Sequence, residues 1–192
     1  HEYFLSGIHT LTYFYTASSQ VPNFPEFVAV GLVNEVEMFH YDSNTKRAEP
    51  KQDWMSRVTA DYPQYIQRNT EGLVGQQQLF KDNIEVAKQR FNQTGGVHIY
   101  QNMYGCEWDD QTNDVKSFDQ YGYDGEDFIS LDFKTWTWIA PKQQAFITKQ
   151  KWNHDQDQTA EKKQYYTQLC PEWLKKYLDY GKSSLLRTGR IT

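Results

Sequence analysis

The chain has 192 residues, 38% hydrophobic and 16% aromatic, with a formal net charge of −5. That is enough for one sizeable domain or two small intimate halves. The absence of any basic run argues against a nucleic-acid surface, which needs clustered Lys and Arg, and no apolar stretch approaches the roughly 20 residues that span a bilayer. The chain begins at His1 without Met or a signal-peptide pattern and reads as a processed chain.

Residues 8–20 alternate and are rich in Thr, Tyr and Phe, which predicts a strand; 27–33 and 37–41 predict two more, punctuated by Pro22, Pro25 and Asp42-Ser43-Asn44. A short fourth strand is expected near 46–49. From Pro63 to Phe91 proline is absent, and Leu73, Phe80, Ile84, Ala87 and Phe91 recur at helical spacing. Gly72 and Gly75 weaken this helix locally, and Gly95-Gly96 closes the first half. The second half repeats the order. Strands are expected over 97–109, 114–122, 126–131 and 134–139, then helix over 142–180 with a bend near Thr167–Pro171, where proline lacks an N–H and crowds the carbonyl four residues back. Two halves of four strands and a long helix each predict an α+β fold, with helices on one face of an antiparallel sheet.

The chain has two cysteines, Cys106 among strand formers and Cys170 among residues at helical spacing. They are either two buried thiols or a bridge. The sequon Asn92-Gln93-Thr94 favours a secreted or luminal chain, and with it the bridge. A bridge turns Cys106 toward the helices, and alternation then puts Tyr100, Asn102 and Tyr104 on the same sheet face. Asp119, Tyr121 and Tyr123 share a face of the next strand by the same rule. Asn and Asp are poor core residues unless partnered, so this face reads either as the floor of a cleft or as a core with satisfied polar groups. The first helix favours the cleft: its stripe Asn69, Leu73, Gln76, Phe80, Asn83, Ala87, Arg90 mixes polar and apolar types where a helix packed directly on a sheet is more apolar. The second helix carries Thr148, Lys151 and Trp152, then Tyr165, Leu169, Trp173 and Tyr177 at steps of four. Arg90, Thr148 and Lys151 are suited to converge on an anion; taken singly, Arg90 and Lys151 also suit a solvated helix face.

Read in order, LTYFYTASS, EFVAVGLVNEVEMFHYDS, EPKQDW, FNQT, MYGCEW, YGYDGEDFISL, TWTW, ITKQKW and LCPEWLKKYLDYGK resemble the antigen-binding platform, the α1 and α2 domains, of an MHC class I heavy chain. The resemblance runs from about His9 to Thr188, and NIEVAKQRFNQTGG resembles the bony-fish version. It implies an eight-stranded antiparallel sheet roofed by two long antiparallel helices, with residues 1–92 as the α1 half and 93–182 as the α2 half. Residues 183–192 would be the stub of a linker to an α3 domain that this chain lacks, and HEYFLSG extends before the usual start. It also implies a Cys106–Cys170 bridge, a glycan acceptor at Asn92, and a peptide in the groove.

Carried over by motif, the peptide N-terminus would be held by Tyr13, Tyr65, Tyr165 and Tyr177, with Trp173 closing that end. Tyr65 rather than Tyr62 matches the Pro-x-Tyr context at Pro63-Gln64-Tyr65, which requires a three-residue insertion after Trp54. Tyr165 rather than Tyr166 lies one helical step before Leu169. The peptide C-terminus would meet Arg90, Thr148, Lys151, Trp152 and Asn83; Arg90 takes a position that is Tyr in mammalian members. The pocket for the last side chain would be lined by Asn83, Val86, Ala87, Tyr100, Tyr121 and Phe128, and shortened by Tyr121 so that medium hydrophobic residues fit. The second-residue pocket and floor would involve Tyr15, Ala29, Ala48, Asn69, Gly72, Leu73, Gln76, Phe80, Asn102, Tyr104 and Asp119, with room left by Ala29, Ala48 and Gly72.

The resemblance implies presentation of short peptides to T-cell receptors at the cell surface after assembly with β2-microglobulin in the endoplasmic reticulum, with no cofactor. The alternative is a divergent class I-like protein that holds a lipid, a metabolite or a protein ligand. An enzyme is the weakest reading. His9, His40, His98 and His154 are scattered without metal-ligand spacing, and Asp109-Asp110 and Asp155/Asp157 suit solvated turns better than acid–base work.

Overall fold

The computed structural model describes residues 7–19 and 21–185; Gln20, the six residues before Gly7 and residues 186–192 of the expected linker stub lie outside the described residues. Eight strands form one antiparallel sheet: β1 (Ile8–Ser18), β2 (Phe27–Val33), β3 (Val36–Asp42), β4 (Glu49–Pro50), β5 (Ile99–Asp109), β6 (Val115–Tyr123), β7 (Glu126–Asp132) and β8 (Thr137–Ile139). Their spatial order is β4-β3-β2-β1-β5-β6-β7-β8. The two runs of four strands therefore meet at a central β1–β5 pair, in register from Ile8↔Asp109 to Ser18↔Ile99.

Alternation decides what each face carries. On β1, His9, Leu11, Tyr13, Tyr15 and Ala17 point toward the helices, while Thr10, Thr12, Phe14 and Thr16 point away. On β5 the helix-facing set is Tyr100, Asn102, Tyr104 and Cys106. The sulfurs of Cys106 and Cys170 are bonded, tying the first residue of the last helix to the central strand. Gly105 permits the central pair to close: a Cβ there would lie 1.9 Å from the Leu11 carbonyl oxygen, at a φ of +155°.

The first wall is α2 (Tyr65–Arg90), 26 residues long. A separate short helix, α1 (Met55–Asp61), precedes it and buries Met55 and Val58; it lies before the region where helix was expected. Pro63 forces the break between them. The second wall is segmented where one bent run was expected. A 3₁₀ turn (Gln143–Ala145) leads into α3 (Phe146–His154), followed by α4 (Gln156–Gln164), a π turn (Tyr165–Leu169) and α5 (Cys170–Tyr180). Asp155 leaves helical geometry and its carboxylate accepts the Gln158 N–H at 3.1 Å, capping α4. The π turn sits at the expected bend. Pro171 offers no N–H to the Thr167 carbonyl, and the Cys170 N–H reaches back to Tyr165 instead.

β4 and β8 each start three residues later than expected, for one reason. Asp42 accepts the Asn44 and Thr45 N–H groups, and Lys46 turns to a φ of +54°, so pairing resumes only at Glu49. Asp132 accepts the Lys134 N–H, and Trp136 has a φ of +57°, so β8 starts at Thr137 rather than 134.

Candidate functional site

α2 and the α3–α5 wall stand over the sheet and leave a groove between them. At one end lies a cavity of about 580 Å³. Tyr13, Tyr15 and Leu11 enter it from β1, Tyr104 from β5, Tyr65, Asn69 and Leu73 from α2, and Tyr165, Trp173 and Tyr177 from the opposite wall. The phenols form a hydrogen-bonded array: the Tyr65 and Tyr177 hydroxyls are 2.7 Å apart, and those of Tyr15 and Tyr104 are 2.6 Å apart. Tyr13 stacks on Tyr104 with ring centroids at 5.2 Å. Burial pushes the Tyr15 and Tyr65 phenols up to about 12 and raises Tyr13, Tyr104, Tyr165 and Tyr177 as well. All six therefore stay protonated and able to donate as well as accept. Trp173, which also lines the cavity, packs on Tyr62 at 5.1 Å and carries the Lys176 ammonium 4.7 Å over its ring.

The opposite end holds a cavity of about 100 Å³ lined by Asn83, Val86, Ala87, Arg90, Tyr100, Phe128, Thr148, Lys151 and Trp152. Arg90 reaches across from α2, donating to the Thr148 hydroxyl and, at 3.3 Å, to the Gln144 carbonyl. Tyr121 packs against Tyr100 at 5.7 Å and Trp152 at 5.1 Å, forming part of this cavity's backing.

Between the ends, the predicted floor residues divide. Phe80 is fully buried among the rings of Tyr15, Phe27 and Tyr100, and Gln76 is half-buried on the groove side of α2. Asn102 and Asp119 are buried with their partners in place, so the satisfied-core reading holds here: Asn102 donates to Asp119 at 3.0 Å and to the Gln120 carbonyl, while Tyr166 and Lys162 donate to the other Asp119 oxygen at 2.7 and 2.9 Å. Ala29, Ala48 and Gly72 do not line the large cavity. Ala29 lies between Tyr15 and Tyr41 in register, and Ala48 is buried with its N–H donating to the Thr70 hydroxyl at 2.9 Å. The small size of Ala29 leaves room for the rings on either side of it. Gly72 is exposed on α2 with open space around it. Asn92, with a φ of +56°, is exposed just past the end of α2.

Residues 7–185 match the family described as Class I Histocompatibility antigen, domains alpha 1 and 2. The chain belongs to the MHC class I family. It is 39% identical over 189 residues to the mouse H-2 class I histocompatibility antigen K-K alpha chain, covering 95% of this chain and 50% of that one. It is 39% identical over 181 residues to the mouse major histocompatibility complex class I-related protein 1, covering 94% and 52%. Against the chicken class I histocompatibility antigen F10 alpha chain it is 36% identical over 184 residues, covering 95% and 52%. The chain thus spans about half the length of these relatives. As a member of this family it is not an enzyme. Among the described residues, no helix is long and apolar enough to cross a membrane.

Several groove residues of this class I platform escape the motif reading. Leu11 and Phe39 line the large cavity; Leu11 was recoverable, since it shares strand parity with Tyr13 and Tyr15. The extra residue of the π turn shifts the helix phase so that both Tyr165 and Tyr166 turn inward and Tyr166 reaches Asp119, while Lys162 reaches it from the last turn of α4, ahead of that shift. The same shift leaves Leu169 38% exposed, off the stripe on which its spacing had placed it.

Proposed function

We propose that this class I platform binds short peptides by both termini and presents them to T-cell receptors. The observation that carries the reading is the pair of chemically distinct ends of one groove. Neutral phenols that donate and accept line one end, and Arg90 with Thr148 and Lys151 line the other. A molecule with an ammonium at one end and a carboxylate at the other satisfies both. In this reading Tyr13, Tyr65, Tyr165 and Tyr177 take the N-terminus, and Arg90, Lys151 and Thr148 take the carboxylate, releasing the Arg90–Gln144 contact. The 26-residue α2 is about 39 Å long, which limits an extended peptide lying alongside it to roughly eleven residues. The small cavity between Ala87, Tyr100 and Phe128 supports a medium hydrophobic C-terminal side chain.

The partner on the far face is β2-microglobulin in this proposal. Phe14 is 40% exposed there, next to the half-buried Met103, over a cavity of about 240 Å³. The platform divides at residues 92 and 93 into α1 and α2 halves, displayed at the cell surface, with Asn92 glycosylated. The segment NIEVAKQRFNQTGG, which includes Arg90, supports a bony-fish-like lineage. A second reading rests on the unequal cavities: about 580 Å³ of mostly aromatic space at one end suits a single small molecule held there alone.

The test is to assemble the chain with β2-microglobulin and a random peptide library, then elute and sequence what is retained. Peptides of narrow length sharing a C-terminal residue type are expected. A small molecule in their place supports the second reading, and nothing retained overturns both. With Arg90→Ala and Lys151→Ala together, loss of two charge-assisted contacts of about 1.5–3 kcal/mol each lowers the thermal midpoint of the loaded complex; an unchanged midpoint refutes the clamp.

A further inference from the structure

Midway along the groove a lysine from the wall is fastened to the floor. Lys162 is in the last turn of α4, and its ammonium donates to the Asp119 carboxylate on β6 at 2.9 Å. The Asp119 side chain is wholly buried. Its Oδ1 accepts from Asn102, and its Oδ2 accepts from Tyr166 as well as from Lys162. Fully buried and with both oxygens engaged, the carboxylate presents no acceptor to the groove. Lys162 differs. Its side chain is 27% exposed and makes one hydrogen bond among the described residues, although an ammonium carries three N–H donors. The nitrogen lies 6.0, 5.8 and 5.9 Å from the ring centres of Tyr104, Trp138 and Tyr166. Tyr104 lines the large cavity, and Trp138 packs on Trp152 of the small one at 4.8 Å. The ammonium thus stands between the two ends, with aromatic faces around it and unspent donors.

We propose that Lys162 is a specificity-determining residue: it selects ligands that bring a hydrogen-bond acceptor, above all a side-chain carboxylate, to the middle of the groove. The inference rests on the peptide-binding reading of the same groove. A carboxylate meets a charge whose own partner is buried out of the ligand's reach, in surroundings where ring faces replace water and strengthen the contact. A ligand Lys or Arg at that point meets a like charge, with no accessible carboxylate to compensate. Part of the Lys162 side chain faces solvent, so the effect falls at the low end for a charge-assisted bond, about tenfold in affinity.

The experiment compares libraries eluted from the chain assembled with β2-microglobulin, from Lys162→Arg, and from Lys162→Met combined with Asp119→Asn, which removes both charges so that neither is left buried alone. Circular dichroism and recovery of the disulfide-bonded assembly confirm folding of each. The expected result is enrichment of Asp and Glu over Lys and Arg at one central position, retained in Lys162→Arg and lost in the double variant, while the C-terminal preference stays the same in all three. A direct measurement accompanies it: a retained peptide with central Glu binds about tenfold tighter than its central-Lys counterpart, and this ratio collapses toward one in the double variant. A flat central profile with an intact C-terminal preference, or a ratio the double variant does not change, overturns the role of Lys162 and leaves peptide binding standing. Failure of the original chain to retain any peptide overturns both.

Discussion

Replacing Cys106 and Cys170 together by alanine frees the wall from the floor. The bridge closes a loop of 64 residues. In the chain-entropy account that loop restricts the unfolded state by about 14–15 cal/mol/K, or roughly 4 kcal/mol at room temperature. Both positions are fully buried, so the small voids left by the missing sulfurs add to the loss rather than offset it. At about 2–4 °C per kcal/mol for a chain of this size, the midpoint falls by roughly 10–15 °C. The assay is thermal unfolding followed by circular dichroism, with β2-microglobulin and ligand concentrations held constant, since anything that binds the folded state shifts the midpoint by itself. The wall consists of three short helices and a π turn, so its hold on the sheet depends on this tie more than a continuous helix would. A fall under about 3 °C would refute the reasoning, because α5 packing alone would then hold the wall in place.

Two further perturbations test the floor and its C-terminal rim. Gly105→Ala puts a Cβ 1.9 Å from the Leu11 carbonyl in the central strand pair; a loss of more than about 3 kcal/mol is expected, read as failed assembly or a collapsed midpoint, and a neutral substitution would show that the pair need not close so tightly. At the rim, His98 Nδ1 faces the Asp124 carboxylate at 2.8 Å and Nε2 faces the Gly95 carbonyl at 2.8 Å. Two acceptors demand two donors, so the ring is cationic, and the hydrogen bond to Asp124 raises its pKa above the ordinary 6.5. A raised folded-state pKa means this stabilisation is complete below about 6.5 and is lost as pH rises through the folded value. Titration of His98 by NMR should give a midpoint above 6.5, and His98→Gln should flatten the dependence of thermal stability between about pH 6 and 8; a midpoint at or below 6.5 refutes the doubly donating ring.

The positions of most strands and the span of α2 were legible because each leaves a local trace. Alternation in 8–20 and 97–109 marks two strands whatever they pair with, and the recurrence of Leu73, Phe80, Ile84 and Ala87 marks one helix. The segmentation of the second wall was partly readable. Asp155 followed by Gln158 is a capping pattern, set within a stretch of strong helix formers that masks it. The extent of β4 and β8 was harder, since Asp42 and Asp132 each bend the chain through side-chain hydrogen bonds that compete with strand pairing.

What the sequence alone determined is the set of parts: an α+β layout in two halves, a pair of cysteines with opposite local preferences, and tyrosines and cations placed where strand and helix periods turn them to a common side. Only the tertiary structure decided how those parts share space. It showed that Ala29 sits between Tyr15 and Tyr41 rather than facing a ligand cavity, and that Asp119 is engaged within the protein. It showed too that one extra residue in the π turn brings Tyr166 inward and turns Leu169 out. Periodicity reports the direction of a side chain within its own element; which neighbour reaches the same space, and which hydrogen bond is already taken, depends on elements far apart in the chain.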